Sequence, residues 1–458
     1  MSINLEAVQT VSVRSQGRLT DIYSLNVMTD SRKPINQGLF IPLTGETFDA
    51  HHFVKQAIDN GAVATLWQED HDFPSDIPED FPVFFVTDPL TALQELARNY
   101  RRKINPKVVA ITGSNGKTTT KDIMDGVLSQ SYETFKTQGN FNNHIGLPLT
   151  ILSMPEDCEV LIAEMGMNHF GEISQLSRLA EPDFAVITNI GESHIEYLGS
   201  RAGIAQAKME IMDGMDASGV FVIDGDEPLL DSPLTKSLTT IRCGFTERND
   251  YMVSGVHESA EGYRFEVKNR SFDIPLLGRH NVQNALFSVA VGQYLGLSNQ
   301  AIQAGLLQGQ MTDMRLQTYV TAAGATIIND AYNASPTSMK AAIETIKQLP
   351  GFTERVLVLG DIYELGVDEE RMHRDIADSI HAPITHVYTI GEKAQWIADE
   401  LQKHASKLII RSFKNKDAAA SVLKQHNQED TVVLFKASRA AKFETLTAVM
   451  DPSQGGTH

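Results

Sequence analysis

Cysteine is nearly absent from this chain: Cys158 and Cys243 are the only two in 458 residues, and their separation matches no metal-binding or dithiol motif. That excludes a disulfide scaffold and points to a reducing compartment. Long apolar runs are missing too. No stretch approaches the roughly 18 apolar residues of a membrane-spanning helix, and the opening MSINLEAVQT lacks the basic start and apolar core of a secretory leader. Basic charge is scarce, with 39 Lys+Arg against 58 Asp+Glu and a formal net charge of -19. Such an acidic excess opposes nonspecific binding to nucleic acid or to an anionic membrane. The expectation is a cytoplasmic protein with no nucleic-acid partner and no membrane insertion. There is no G-x-G-x-x-G fingerprint, which argues against a bound dinucleotide.

What is present suits a large α/β protein. The length suggests roughly three domains, and 42% hydrophobic residues supply sizeable cores. Residues 1–104 read as a smaller N-terminal α/β domain. They include an apolar strand from Gly38, a helix from His52 to Gly61 with Phe53, Ala57 and Ile58 turned inward, and a helix from Leu90 ending in an exposed basic linker, Arg101-Arg102-Lys103. Residues 105–312 alternate apolar runs at 108–111, 160–163, 184–187 and 220–223 with helical patterns, which predicts a mostly parallel sheet. Tyr251 to Leu276 alternates polar and apolar residues instead, as an antiparallel edge would. Residues 313–458 repeat the strand–helix alternation and predict a doubly wound, Rossmann-like open sheet. The terminal SQGGTH reads as disordered.

The most informative stretch is Val108–Thr120, an apolar run, then Thr112-Gly113-Ser114-Asn115-Gly116-Lys117-Thr118-Thr119-Thr120, then a helical pattern with Ile123, Met124, Val127 and Leu128 on one face. Strand, glycine turn and helix follow in order. Two glycines let the backbone bend tightly and bring its N–H groups to an anion at a helix N-terminus. Lys117 adds charge for the outer phosphates, and the Thr118 hydroxyl suits Mg²⁺. The loop is two residues shorter than the general P-loop spacing, so an ordinary turn is the alternative.

Other candidates sit at predicted strand ends. Glu164 follows the run 160–163, where a carboxylate beside a phosphate loop can hold Mg²⁺. His194 comes after the run 184–187 and suits a metal or a phosphate. Asp330 ends a C-terminal strand and can accept from ribose hydroxyls. Lys208 lies beside the apolar face of a helix, where a snorkelling surface lysine is the plain alternative. The polar loop 137–148 carries Asn140, Asn142 and Asn143, common turn residues that also bind sugars and carboxylates. Asn281 and Asn284 share a helix face and suit either capping or a base edge. Arg315 can reach a phosphate.

Taken together, GSNGKTTT, Glu164 in AEMGMN, His194 in NIGESHIEYLGS, Lys208 in AKMEI, and HNVQNA resemble the Mur ligase family, ATP-dependent amide-forming enzymes of peptidoglycan precursor synthesis. The stretches GNFNNHIGLPLT, DAYNASPTSM, LGDIYELG and Asp30-Ser31-Arg32 are similar to the branch that joins D-alanyl-D-alanine to UDP-N-acetylmuramoyl-tripeptide. The resemblance implies a peptide ligase forming a C–N bond, with ATP and Mg²⁺ as cofactors and a monomer as the working form. It implies that Ser31 and Arg32 hold the UDP-sugar end and that Gly113, Ser114, Asn115, Gly116, Lys117, Thr118 and Thr119 bind ATP. Asn281 and Asn284 would face adenine, Arg315 the γ-phosphate and Asp330 the ribose. Thr118 and Glu164 would serve one Mg²⁺, and His194 with a carbamylated Lys208 a second. Lys117, Lys208 and His194 would carry catalysis. Asn140, Asn142, Asn143, Asn333, Lys436, Ser438 and Arg439 would contact substrate. Ala437 departs from the pattern, standing where the family has glycine in a K-G-S-R stretch. A ligase adding one amino acid, and a nucleotide-binding scaffold without turnover, are the competing readings.

Overall fold

A computed structural model describes residues 3–451 except positions 21, 23, 46, 232–237, 260, 405 and 406. The terminal SQGGTH lies outside the described residues. Three sheets of five, nine and six strands follow one another along the chain. The central sheet runs across in the order Arg270–Ile274, Gly262–Val267, Tyr251–Ser259, Thr239–Gly244, Val220–Asp224, Phe184–Ile187, Lys107–Thr112, Val160–Glu164 and Thr134–Lys136. Its strands are parallel up to Tyr251–Ser259, and the last two add antiparallel. The parallel strands are covered on both faces, which is why they read as continuous apolar runs rather than as alternation. The Lys107–Thr112 strand is buried from Val108 onward, while Gly262–Val267 alternates buried and exposed residues.

Lys107–Thr112 lies between Val160–Glu164 and Phe184–Ile187, with Ile111 opposite Glu164 on one side and Val186 on the other. The strand order reverses at this point, which opens a crevice beyond the strands' carboxyl ends. The six-stranded sheet has Gln317–Val320 antiparallel at one edge and five parallel strands beyond it. Asn329 pairs with Phe435, so Asp330 and Lys436 emerge side by side at its carboxyl edge.

Two expectations about the first segment fail. The basic triplet is no linker: the helix Pro89–Ile104 runs through it and ends at Asn105 in the left-handed conformation. Arg101 is buried and donates to the carbonyls of Ala180 (2.9 Å) and Glu181 (2.8 Å), while Arg102 pairs with the Glu181 carboxylate. Phe53 does not turn inward. A 3₁₀ turn, Ala50–Phe53, precedes the helix Val54–Asp59, which rotates Phe53 outward to stack on Phe48 with ring centroids 5.2 Å apart. One apolar cluster, from Ile3 through Leu39, Leu96 and Val108 to Leu230, spans the first and second sheets. No helix among the described residues is long and apolar enough to cross a membrane.

Candidate active site

The carboxyl ends of the central and C-terminal sheets face each other across a cavity of about 600 Å³. Its floor is the loop after Lys107–Thr112. Gly113 has φ +153°, and a Cβ there would stand 1.8 Å from Thr188 Oγ1. Gly116 has φ +79°, and a Cβ there would meet Asn284 Oδ1 at 2.6 Å. Both positions therefore need glycine. The Phe184–Ile187 strand end braces the loop. Asn115 N donates to Asn189 Oδ1 (2.9 Å), Thr188 Oγ1 donates to the Asn115 carbonyl (2.6 Å), and Ser114 Oγ accepts from Gly191 N (2.8 Å). The helix Lys117–Leu128 begins immediately after, so its N-terminus opens on the cavity.

Lys117 Nζ donates to the Gly113 carbonyl at 2.8 Å. Burial lowers its pKa; Glu164 opposes that shift and Arg315 adds to it. Glu164 is buried at the end of its strand. Its two oxygens accept from Thr118 Oγ1 and Asn142 Nδ2, both at 2.8 Å, so the expected pair Thr118–Glu164 stands together as two oxygen donors. His194 has φ +65°. Its Nδ1 lies 2.6 Å from Glu364 Oε2 in the C-terminal segment, and this neighbour holds the Glu364 carboxyl below its usual range. Lys208 is no snorkelling surface residue. It is 2% exposed, and burial with repulsion from Lys117 holds its amine well below the usual lysine range.

The C-terminal sheet completes the walls. Lys436 Nζ lies 2.5 Å from Asp330 Oδ2 and 3.3 Å from the Asn333 carbonyl. Arg315 stacks on Tyr332 at 4.2 Å, and its Nε is buried with no acceptor among the described residues, as is Asn115 Nδ2. Two unpaired buried donors beside a lysine are what a polyanion would satisfy. Ser335 caps the helix Pro336–Gln348 through a capping box and also donates to Asn115 Oδ1 at 3.0 Å, tying the third sheet to the loop.

The cavity gathers Ser114, Asn115, Gly116, Lys117, Thr118, Thr119, Asn142, Asn143, Glu164, His194, Asn281, Asn284, Arg315, Asp330, Asn333 and Lys436. Gly113 and Lys208 stand behind this lining rather than in it. Asn140 is an exposed loop residue. Ser438 accepts from Tyr363 N (3.2 Å), and Arg439 reaches Glu444 (3.3 Å); neither lines the cavity. Ala437 packs against Gly360, where a Cβ would come within 2.6 Å of the alanine methyl, so the missing side chain opposite makes room for it. Ser31 and Arg32 sit on the first sheet's loops, away from this lining. Ser31 Oγ donates to Gln56 Oε1 (2.8 Å), and Arg32 forks onto Asp30. Sequence reasoning passed over Asp224, Asp226, Thr188, Asn189, His280 and Tyr332, all of which line the cavity. Asp224 ends an apolar run much as Glu164 does, so the strand-end argument that found one could have found the other.

The Mur ligase middle-domain model matches residues 111–292, and the Mur ligase glutamate-ligase-domain model matches residues 314–439. The chain is 47% identical over 423 residues to the UDP-N-acetylmuramoyl-tripeptide--D-alanyl-D-alanine ligase of Bacillus subtilis, covering 92% of each chain. Among solved structures it is similar to a MurF from Acinetobacter baumannii, with TM-score 0.87, 31% identity and coverage of 98% and 99%. It is also similar to the MurF ligase of Thermotoga maritima in complex with ADP, with TM-score 0.82, 28% identity and coverage of 94% and 97%. With both models matched in order and such a relative aligned nearly end to end, the chain belongs to the Mur ligase family.

Proposed function

We propose that this protein is a cytoplasmic ATP-dependent ligase. It joins D-alanyl-D-alanine to the terminal carboxylate of UDP-N-acetylmuramoyl-tripeptide and yields UDP-N-acetylmuramoyl-pentapeptide, ADP and phosphate for peptidoglycan synthesis. The observation that carries the reading is the convergence of Lys117, Glu164 and His194 from one sheet with Arg315, Asp330 and Lys436 from another on a single cavity. The relative in Bacillus subtilis bears this activity in its name.

A carboxylate is a poor electrophile, so the reaction needs the γ-phosphoryl group of ATP moved onto it first. Lys117, Arg315 and the Asn115 amide spread the charge of the group in transfer. The amine of the dipeptide then attacks the acyl carbonyl, and phosphate leaves. The nucleophile belongs to the substrate, so no serine or cysteine nucleophile is required. Asp330 takes the ribose and the Asn281–Asn284 face the adenine. Ser31 and Arg32 hold the UDP-sugar end, and Asn142, Asn143, Asn333 and Lys436 line the route of the acyl and dipeptide groups.

The donors fit Mg²⁺. Thr118 and Glu164 offer hard oxygens at the loop, and His194 with a carbamate on Lys208 offers a second set. A metal held by these residues would supply positive charge against the phosphate groups. Lys208 suits carbamylation because a neutral amine is the form that adds CO₂, and burial beside Lys117 favours that form. The resulting anion would relieve the repulsion between two buried lysines.

Phosphate release by the full-length protein tests the reading, with ATP, Mg²⁺, UDP-N-acetylmuramoyl-tripeptide and D-alanyl-D-alanine omitted one at a time. Release is expected only when all four are present. Release supported by a single amino acid instead of the dipeptide overturns the acceptor, and no release with any acceptor overturns the ligase.

A further inference from the structure

A second concentration of metal-ligating side chains lies at the opposite end of the C-terminal sheet from the cavity. Glu354 opens the strand Glu354–Gly360, and His386 opens the neighbouring parallel strand His386–Ile390. His426 ends the 3₁₀ turn Lys424–His426 beneath them. Each offers one ligand atom, and the three atoms lie within 4.8 Å of one another. The active-site residues Asp330 and Lys436 occupy the carboxyl edge of the same sheet, so this group takes no part in the chemistry above.

His426 makes the group more than a chance meeting. It is 5% exposed, and its Nε2 is engaged with the Tyr388 hydroxyl at 2.7 Å. Its Nδ1 lies 3.0 Å from Glu354 Oε2, yet it has no aligned hydrogen-bond partner among the described residues. An imidazole nitrogen and a carboxylate oxygen thus stand side by side, as two ligands of one ion do. Nδ1 of His386 lies 3.3 Å from the other carboxylate oxygen and 3.0 Å from Thr385 Oγ1. The two imidazoles are inclined at 63° with centroids 4.6 Å apart, so their edges can converge. By contrast, His51 and His71, which with Asp49 form another such cluster, lie stacked at 16°, with ring planes nearly parallel.

Tyr388 on the far nitrogen of His426, and Thr431 Oγ1 on Glu354 Oε2 at 3.1 Å, orient the ligands as an outer shell does.

We propose that Glu354, His386 and His426 form a binding site for one divalent transition-metal ion of the zinc class, with water completing the coordination. Two imidazoles and one carboxylate suit zinc, cobalt or nickel, whereas magnesium prefers an all-oxygen set. The ion would pin the amino ends of two adjacent strands to the turn at His426 and so stabilise the C-terminal sheet.

The test uses the full-length protein, stripped with a chelator and titrated with zinc chloride alone by calorimetry, with cobalt chloride as the optical probe. One zinc per chain is expected, with a rise in melting temperature and cobalt visible bands of a low-coordinate site. His386→Gln and His426→Gln should each weaken binding at least tenfold, while His71→Gln leaves it unchanged. His386 is half-buried, so its variant keeps the test open should His426→Gln fail to fold. Zinc binding unaltered in His386→Gln, binding lost in His71→Gln, or no binding at micromolar zinc would overturn the site.

Discussion

Gly116→Ala probes the contact that holds the phosphate loop in shape. The residue sits at φ +79°, and its new Cβ would come within 2.6 Å of Asn284 Oδ1. Left-handed backbone costs a side-chain-bearing residue about 1–2 kcal/mol. Asn284 cannot step aside freely, because its Oδ1 accepts from Thr120 Oγ1 (3.2 Å) and its Nδ2 donates to Asn281 Oδ1 (2.8 Å). Giving up both bonds costs roughly 0.5–1.5 kcal/mol each. The substitution should therefore destabilise the protein by about 2–5 kcal/mol and weaken ATP binding. In an Asn284→Ala background the clash is gone and only the backbone term remains, so the same change should cost about 1–2 kcal/mol. Urea unfolding of the four proteins in this cycle, with nucleotide titration of each, measures the coupling. Distant residues add to within ~0.5 kcal/mol, so additivity of these two substitutions would refute the contact and the reasoning built on it.

The Asp224 carboxyl is pushed up to about 6 by burial. The folded protein thus keeps a proton that the unfolded chain releases near pH 4, and stability from this group is lost as pH rises from about 4 through about 6. Asp224→Asn should match the parent near pH 4 and exceed it by about 2–3 kcal/mol near pH 8; unfolding curves at the two pH values check this, and an equal difference at both would refute it. Arg101→Met keeps the apolar stem but strips the Ala180 and Glu181 carbonyls of their donor, and should cost about 2–4 kcal/mol in denaturant unfolding. A loss below ~0.5 kcal/mol would return Arg101 to the role of a surface residue.

How far a sequence discloses its structure depends here on whether the signal is local. The phosphate loop was legible because Gly113, Gly116, Lys117 and Thr118 act within one turn of chain. The parallel strands were legible because burial on both faces writes an uninterrupted apolar run. Arg101 was misread because its partners, Ala180 and Glu181, are about eighty residues away and nothing nearby distinguishes a buried arginine from an exposed one. Phe53 was misread because a 3₁₀ turn changes the angle per residue from that of an α-helix, which moves the side chain to the other face. Gln317–Val320, an edge strand with an alternating half-buried pattern, carries too weak an apolar signature to stand out. Lys208 and Glu364 gain their surroundings only when separate segments meet.

The apolar cluster shared by the first two sheets bears on what can move. With Arg101 hooked into the same junction, those sheets behave as one block, and prising them apart would expose interior surface to water. The third sheet meets that block near the cavity through contacts such as Ser335–Asn115, Thr337–Glu192 and His194–Glu364, which water can replace one by one. Parting the third sheet from that block would therefore expose less interior than parting the first two sheets from each other, and a swing of the last third of the chain would leave a molecule held on the first sheet at a fixed distance from the phosphate loop.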